Sequence, residues 1–322
     1  ILEILRNKDT YVSGQELSER FGVSRTAVWK AIHQLEEEGY RIEAVPRKGY
    51  HMVETPDVVC KEEILSLLET KWAGRNLVYL ETVDSTNDLA KKLADQGAPE
   101  GTLVVADEQT GGKGRRGRAW CTPKGSAIAM TIVLRPDIRP ELASMVTLVM
   151  GLSVAKAIGS LYPVSVGIKW PNDVVVNGKK ICGILTEMSA EMTGIHYLVI
   201  GTGINTNVEE FPEEIQSVAT SLIKELGEKV NRAELIAACL KYFEEYYEKY
   251  IAAGNLAPLK EDYEALLLNR NNKVRVLEPN HEYTGLSLGI NEDGELLVEK
   301  EDGTVTAVYA GEVSVRGVYG YV

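Results

Sequence analysis

The sequence predicts a multidomain α+β protein in three parts: a small helical module closed by a β-hairpin, a central α+β domain and a C-terminal β-barrel. Three observations carry that expectation. Helical apolar spacing fills the first 40 residues and then gives way to alternation; strands and helices alternate from about residue 56 to 271; beyond Asn271-Asn272, short alternating strands are separated by Asp-Gly turns. The boundaries read as 1–55, 56–271 and 272–322, and a chain of 322 residues has room for two or three cores at ~150 residues per domain.

Composition excludes several classes. With 44% hydrophobic and 25% charged residues, the chain is neither disordered nor collagenous nor a disulfide scaffold. A net charge of −12 repels nucleic acid unless one region escapes the trend. Cys60, Cys121, Cys182 and Cys239 lie far apart with no Cys-x-x-Cys spacing, which reads as reduced thiols rather than a zinc or redox site. The start lacks signal-peptide character, and the longest apolar run, Val146 to Ala155, is too short for a membrane span. A cytoplasmic protein without a membrane partner is expected.

In the first module, Ile1, Leu2, Ile4 and Leu5 are helically spaced. Ser13 and Glu16 form a capping box for a second helix that runs to Phe21 and breaks at Gly22. Ser24 caps a third helix with Ala27, Val28, Ala31, Ile32 and Leu35 on one face and Thr26, Trp29, Lys30 and His33 on the other, Arg25 at the margin. Arg41 to Val45 and Gly49 to Val53 make a hairpin whose tip carries Arg47 and Lys48. Helix, glycine-bearing turn, helix and basic wing together describe a winged helix-turn-helix, with Ser24, Arg25, Thr26, Trp29, Lys30, His33, Arg47 and Lys48 as its DNA-facing candidates. Modules of this shape also mediate protein contacts. The module is nearly neutral rather than basic, so tight binding by one copy is not expected and two copies on a symmetric dimer are the natural remedy.

The central domain reads as strands at Leu77 to Glu81, Thr102 to Ala106, Ala127 to Leu134 and Val166 to Lys169, with helices from Asp84 to Gln96 and Glu141 to Leu161. The second helix is apolar almost all round, which implies burial on several sides. Between them lies Gly111-Gly112-Lys113-Gly114-Arg115-Arg116-Gly117-Arg118. It contains Gly-x-Gly-x-x-Gly, but Ala119-Trp120-Cys121-Thr122-Pro123 follows instead of a helix start, so a dinucleotide fold is rejected. A flexible loop that approaches and neutralises a phosphate or acyl phosphate remains, beside the plainer alternative of a solvated basic loop. Lys169-Trp170-Pro171-Asn172-Asp173 then leads through an Asn177-Gly178 turn to Lys180, bringing Asp173 and Lys180 close. Ile200-Gly201-Thr202-Gly203-Ile204-Asn205 is a second glycine-bearing strand end.

Taken together, Ser85-Thr86-Asn87, Gln109, the glycine-arginine loop, Lys-Trp-Pro-Asn-Asp, Lys180 to Leu185 with Glu187, and Gly-x-Gly-x-Asn ending at Asn205 closely resemble the biotin protein ligases. With the winged helix in front, the resemblance extends over essentially the whole chain to the bifunctional ligase and biotin-operon repressor type. It implies a class II synthetase/biotin-ligase-like catalytic domain with a mixed sheet, followed by an SH3-like barrel. It also implies formation of biotinyl-5′-AMP from biotin and ATP with Mg2+, then transfer to a lysine of biotin carboxyl carrier protein. The adenylate would double as corepressor for a homodimer on operator DNA.

Biotin is an uncharged bicyclic urea on an apolar tail ending in carboxylate, which calls for an apolar slot with few hydrogen-bonding groups and cations at one end. By resemblance, Ser85, Thr86, Asn87 and Gln109 serve the head group and Gly112, Gly114 and Gly183 line the slot. Lys180, Lys113 and Arg115 meet the carboxylate, and Arg115, Arg118, Trp120, Lys180 and Asn205 meet the nucleotide. Lys180 and Arg115 are the catalytic candidates, and Asp173 with Asn205 suits magnesium. The usual Gly-Arg-Gly-Arg reads Gly112-Lys113-Gly114-Arg115, and the lysine keeps charge but loses the planar fork. A ligand-sensing repressor without catalysis and a lipoate-type ligase are the alternatives.

After Asn231, a helix carries Leu235, Cys239, Tyr242, Phe243 and Tyr246 on an apolar stripe. Turns at Asp293-Gly294 and Asp302-Gly303 then punctuate the small barrel.

Overall fold

The computed structural model describes residues 1–6, 10–191, 194–278, 281–309 and 314–317, and the chain divides into two units, 1–67 with 231–234 and 68–230 with 235–322. The first unit contains α1 (Leu2–Arg6), α2 (Gly14–Phe21), α3 (Arg25–Glu37), the hairpin β1 (Arg41–Val45) and β2 (Gly49–Glu54), and α4 (Lys61–Leu67). Both expected caps form: Ser13 Oγ accepts from Glu16 N at 3.0 Å and Ser24 Oγ from Ala27 N at 3.2 Å. Gly22, at φ 62°, ends α2.

Ile4, Leu5, Val12, Leu17, Val28, Ile32, Tyr40 and Ile42 form the core of this unit. Ala27, expected on the buried face of α3, is exposed, and Ala31 and Leu35 are half-buried. The helix therefore rests along a narrower stripe than its apolar positions suggest. Glu63 on α4 is fully buried; its carboxylate accepts from Arg6 Nη2 at 2.5 Å and from the Tyr40 hydroxyl, so the buried charge is paired and α4 is tied to α1. In the wing, Gly49 has φ 115°, and a Cβ there would lie 2.1 Å from Val12 O.

The second unit is built on a seven-stranded mixed sheet in the order β3-β4-β5-β9-β8-β7-β6. Its strands are β3 (Leu77–Val83), β4 (Leu103–Gln109), β5 (Ala127–Leu134), β6 (Val166–Lys169), β7 (Asp173–Val176), β8 (Lys179–Glu191) and β9 (Gly194–Asn205); only β3 and β4 pair in parallel. Helix α5 (Thr86–Asp95) lies on the sheet through Ala90 and Ala94 against Val104, Val133 and Val199. Helix α6 (Met145–Leu161) buries nearly its whole circumference, as its all-round apolarity requires. With the preceding turn it is long and apolar enough to cross a membrane, yet 78% of that apolar window is buried inside the protein.

Helices α7 (Leu222–Leu226), α8 (Arg232–Ala253) and α9 (Lys260–Leu266) follow. On α8, Leu235, Cys239, Phe243 and Tyr246 are buried and Tyr242 half-buried. The C-terminal part is a five-stranded antiparallel sheet, β10 (Lys273–Glu278), β11 (His281–Ile290), β12 (Leu296–Glu299), β13 (Val305–Val308) and β14 (Ser314–Gly317), in the order β13-β12-β11-β10-β14. Gly294, in its Asp-Gly turn, accepts a hydrogen bond from the buried Trp170 indole at 2.9 Å. This contact seats the sheet against the Lys-Trp-Pro-Asn-Asp segment.

Candidate active site

One cleft gathers the N-terminus of α5, the end of β4, the glycine–cation loop and strands β8 and β9. About 460 Å³ of non-atom space lies in and in front of this cleft, part of it open to solvent. Ser85, Thr86, Asn87, Gln109, Lys113, Gly114, Arg115, Trp120, Lys180 and Gly183 all line it, together with Ala129, Asn172, Ile184, Leu185, Gly201, Thr202 and Gly203.

The uncharged polar side chains of the lining form a connected network. Thr86 N and Oγ1 both donate to Gln109 Oε1, at 2.9 and 3.0 Å, while Gln109 Nε2 donates to Thr122 Oγ1 at 3.0 Å. Thr131 Oγ1 lies 2.8 Å from Thr86 Oγ1 and 2.7 Å from Asn87 Oδ1. Asn87 Nδ2 donates to Glu187 Oε2 at 2.8 Å. Ser85 caps α5, Oγ accepting from Asp88 N at 3.4 Å. Each side chain is braced before any ligand arrives, which is what a preorganised head-group site requires.

The sheet floor is stripped of side chains where it meets the cleft. Gly183 pairs with Gly203 across β8 and β9, and Gly201 lies two residues before Gly203 on the same face. The Trp120 indole lies across this floor: a Cβ on Gly203 would be 2.3 Å from its ring, and one on Gly183 3.0 Å. Space for water-sized molecules is therefore only about 50 Å³. The buried Trp120 Nε1 has no hydrogen-bond partner.

At the cationic end, Lys180 Nζ meets Asp173 Oδ1 at 2.6 Å and lies 5.6 Å from the Trp120 ring centroid. The Asn177-Gly178 turn that brings the two strands back has φ 49° and 79°, the left-handed pair expected of a tight hairpin. Arg115 Nη1 donates to Asn172 Oδ1 at 2.7 Å, and Asn172 Nδ2 donates to Asp173 Oδ1 at 3.0 Å. Burial lowers the Arg115 guanidinium from its ordinary value, and the Asp173 carboxylate opposes that shift. Two cations are thus held to one carboxylate, one directly and one through an amide. Lys113 Nζ pairs with Asp88 Oδ2 at 2.6 Å at the exposed rim. That hydrogen bond, with a second from Lys91, holds Asp88 below the usual carboxylate range.

Family models match three stretches: an HTH domain at 1–51, the Biotin/lipoate A/B protein ligase family at 79–205 and the Biotin protein ligase C terminal domain at 271–316. The chain is 41% identical over 94% of its length to the Bifunctional ligase/repressor BirA of Bacillus subtilis, covering 93% of that protein. It is 31% identical over 98% of its length to the BirA of Escherichia coli, covering 96% of it. The chain belongs to the biotin protein ligase family, in its bifunctional ligase/repressor branch.

A solved biotin protein ligase from Aquifex aeolicus, in complex with biotin and ATP, superimposes with a TM-score of 0.67 at 34% identity, covering 76% of this chain and 99% of that one. Against this family background, four expected site residues lie outside the cleft lining. Gly112 sits just behind it, where a Cβ would be 2.3 Å from Trp120 O. Arg118 is exposed. Asp173 is drawn into the Lys180 pair, and Asn205 is buried with Nδ2 donating to Thr220 O at 3.1 Å. Among the described residues, no cluster of three His, Cys, Asp or Glu side chains could hold a metal.

Sequence reasoning did not assign Asn172, Ala129, Ile184, Leu185, Gly201, Thr202 or Gly203 to the site. The signal for Gly201 and Gly203 was their spacing of two on one strand, which puts both on one face. In the first unit, Arg25, Thr26, Trp29, Lys30, His33, Arg47 and Lys48 fall on exposed positions, while Ser24 spends its hydroxyl on the cap.

Proposed function

We propose that in this cleft the biotin carboxylate attacks the α-phosphate of ATP, forming biotinyl-5′-AMP as the α–β phosphoanhydride breaks and pyrophosphate leaves, that the biotinyl group then passes to a lysine of biotin carboxyl carrier protein, and that the same adenylate acts as corepressor for the winged helix-turn-helix. The observation that supports it most is that one cleft is lined both by Lys180 and Arg115, gathered on Asp173 and Asn172, and by the uncharged hydrogen-bonding pair Thr86 and Gln109. That polarity matches a molecule with a neutral ureido head and a carboxylate tail.

In this reading, Ser85, Thr86, Asn87 and Gln109 hold the head, and the glycine floor admits the flat ring system once Trp120 shifts aside or stacks upon it. The carboxylate and the α-phosphate are both anionic, so their encounter needs positive charge where it develops; Lys180 and Arg115 supply it, and Lys113 adds charge at the rim. Asp173 keeps Lys180 extended toward the phosphate position until substrate competes for the ammonium. Mg2+ carried in with ATP would neutralise the phosphates; of its two expected ligands, Asp173 lies against Lys180 and Asn205 is buried outside the cleft lining, so the phosphates rather than the protein would supply most of the ion's oxygens. The acceptor lysine attacks the mixed anhydride at the acyl carbon and releases AMP; the glycine–cation loop, ordered over the adenylate, would exclude water from that bond.

We place the protein in the cytoplasm, where its four free cysteines remain reduced, and as a homodimer when the adenylate is bound. The test is incubation with biotin, magnesium ATP and apo carrier domain, read by mass spectrometry of the carrier. One added biotinyl group is the expected result, and competition by lipoate reads the lipoate alternative. Folded protein that leaves the carrier unmodified overturns the ligase reading.

A further inference from the structure

We propose that Trp29, held by His33 on α3, reads the C5-methyl group of thymine in the major groove of the DNA this protein binds. The inference deepens the repressor reading and rests on it.

Trp29 is 55% exposed in the middle of the helix, whereas Trp170 is buried and Trp72 and Trp120 are half-buried. An indole left in water offers a large apolar face. Its orientation is fixed: the His33 ring stacks on it at 5.3 Å between centroids and 23° between planes. His33 is itself held by Glu36, whose Oε2 lies 3.2 Å from Nδ1, with Glu37 at 3.9 Å from Nε2. Such bracing removes side-chain freedom before binding, so less ordering is required on contact.

The surroundings point to nucleic acid as the occupant. Arg25 and Lys30 flank Trp29 in sequence and are exposed, and Arg25 is braced by Gln15, whose Oε1 accepts from Nε at 2.8 Å. The acidic run Glu36-Glu37-Glu38 sits at the other end of α3, so phosphate repulsion directs the N-terminal half, with Trp29, into the groove. The indole has one donor, Nε1–H, at its edge, whereas its carbon face offers only apolar contact. The apolar feature that the major groove displays is the thymine methyl.

The experiment uses the full chain with biotin and magnesium ATP. A duplex selected from a random pool is re-made with deoxyuridine, which lacks only that methyl, at each thymine in turn, and binding is measured by gel shift. Wild type is expected to lose about fourfold at one or two positions per half-site, the factor corresponding to ~0.8 kcal/mol for one buried methyl-sized group. Trp29→Ala is expected to bind thymine and uracil duplexes equally, Trp29→Phe to restore part of the difference, and Lys48→Ala to weaken both while keeping it. A thymine preference that survives in Trp29→Ala, or the absence of any preference in wild type, overturns the inference while leaving DNA binding intact. Failure of wild type to select any sequence overturns the repressor reading itself, and this inference with it.

Discussion

At the scale of single residues, Lys180 carries the most weight. Its ammonium lies 2.6 Å from Asp173 and 5.6 Å from the centroid of the Trp120 ring that crosses the glycine floor, and in the proposed reaction charge develops there as carboxylate meets phosphate. Lys180→Ala is expected to lower the rate of pyrophosphate release by about 10²–10³-fold, the loss typical of removing one preorganised electrostatic group, with biotin affinity changed far less. An equal loss in both would assign Lys180 to binding alone. Lys113 illustrates a different lesson. Standing where the resemblance leads one to expect arginine, it spends its charge on Asp88 at the rim, whereas Arg115 two positions on reaches inward to Asn172. A lysine suffices where a point charge on a carboxylate is all that is asked, and the planar fork is kept where an amide must be met in one geometry.

Elements place these side chains, and their own fastening is equally specific. The segment before β3 is anchored by Glu244 of α8, whose carboxylate accepts from the backbone N–H groups of Lys71, Trp72 and Ala73 at 2.7–3.0 Å. Burial works against the charged form, but the three donors outweigh it and hold Glu244 below the ordinary glutamate range. Because the folded pKa is depressed, the stabilisation is fully present above the unfolded value and is lost as pH falls through the lower folded one. Glu244→Gln should cost about 2 kcal/mol at neutral pH, the scale of charge-assisted hydrogen bonds, and flatten the melting-temperature profile in the acid range. An unchanged acid limb in thermal melts would refute this. Gly201 shows the same economy in the sheet: a Cβ there would lie 2.1 Å from Asn87 Oδ1, so the glycine lets α5 close on the strand that floors the cleft.

For the whole molecule, charge sets the terms. The chain carries −12 overall, and its DNA-facing module is nearly neutral, so counterion release by one copy is too small for tight binding. In the proposed repressor role, two copies acting together would supply the contacts that one lacks. Sedimentation velocity is expected to show monomer without ligand and dimer with biotin and magnesium ATP, with operator affinity rising in parallel. A single species under both conditions would remove dimerisation from the account.

The three-part organisation, both helix caps of the first unit, the bounds of β5 and β6 and the Asp173–Lys180 approach were all legible in the amino-acid order. Each depends on local rules: a hydroxyl three residues before a backbone donor, alternation with period two, a turn that admits two left-handed residues. What tertiary structure alone decided were meetings between distant segments: Asn87 with Glu187, Arg115 with Asn172, Trp120 over Gly183 and Gly203, and the Trp170 indole on Gly294. Residues separated by tens of positions leave no periodic trace of one another. Their pairing follows from sheet order and from which surfaces remain to be covered, quantities that exist only once the chain has folded.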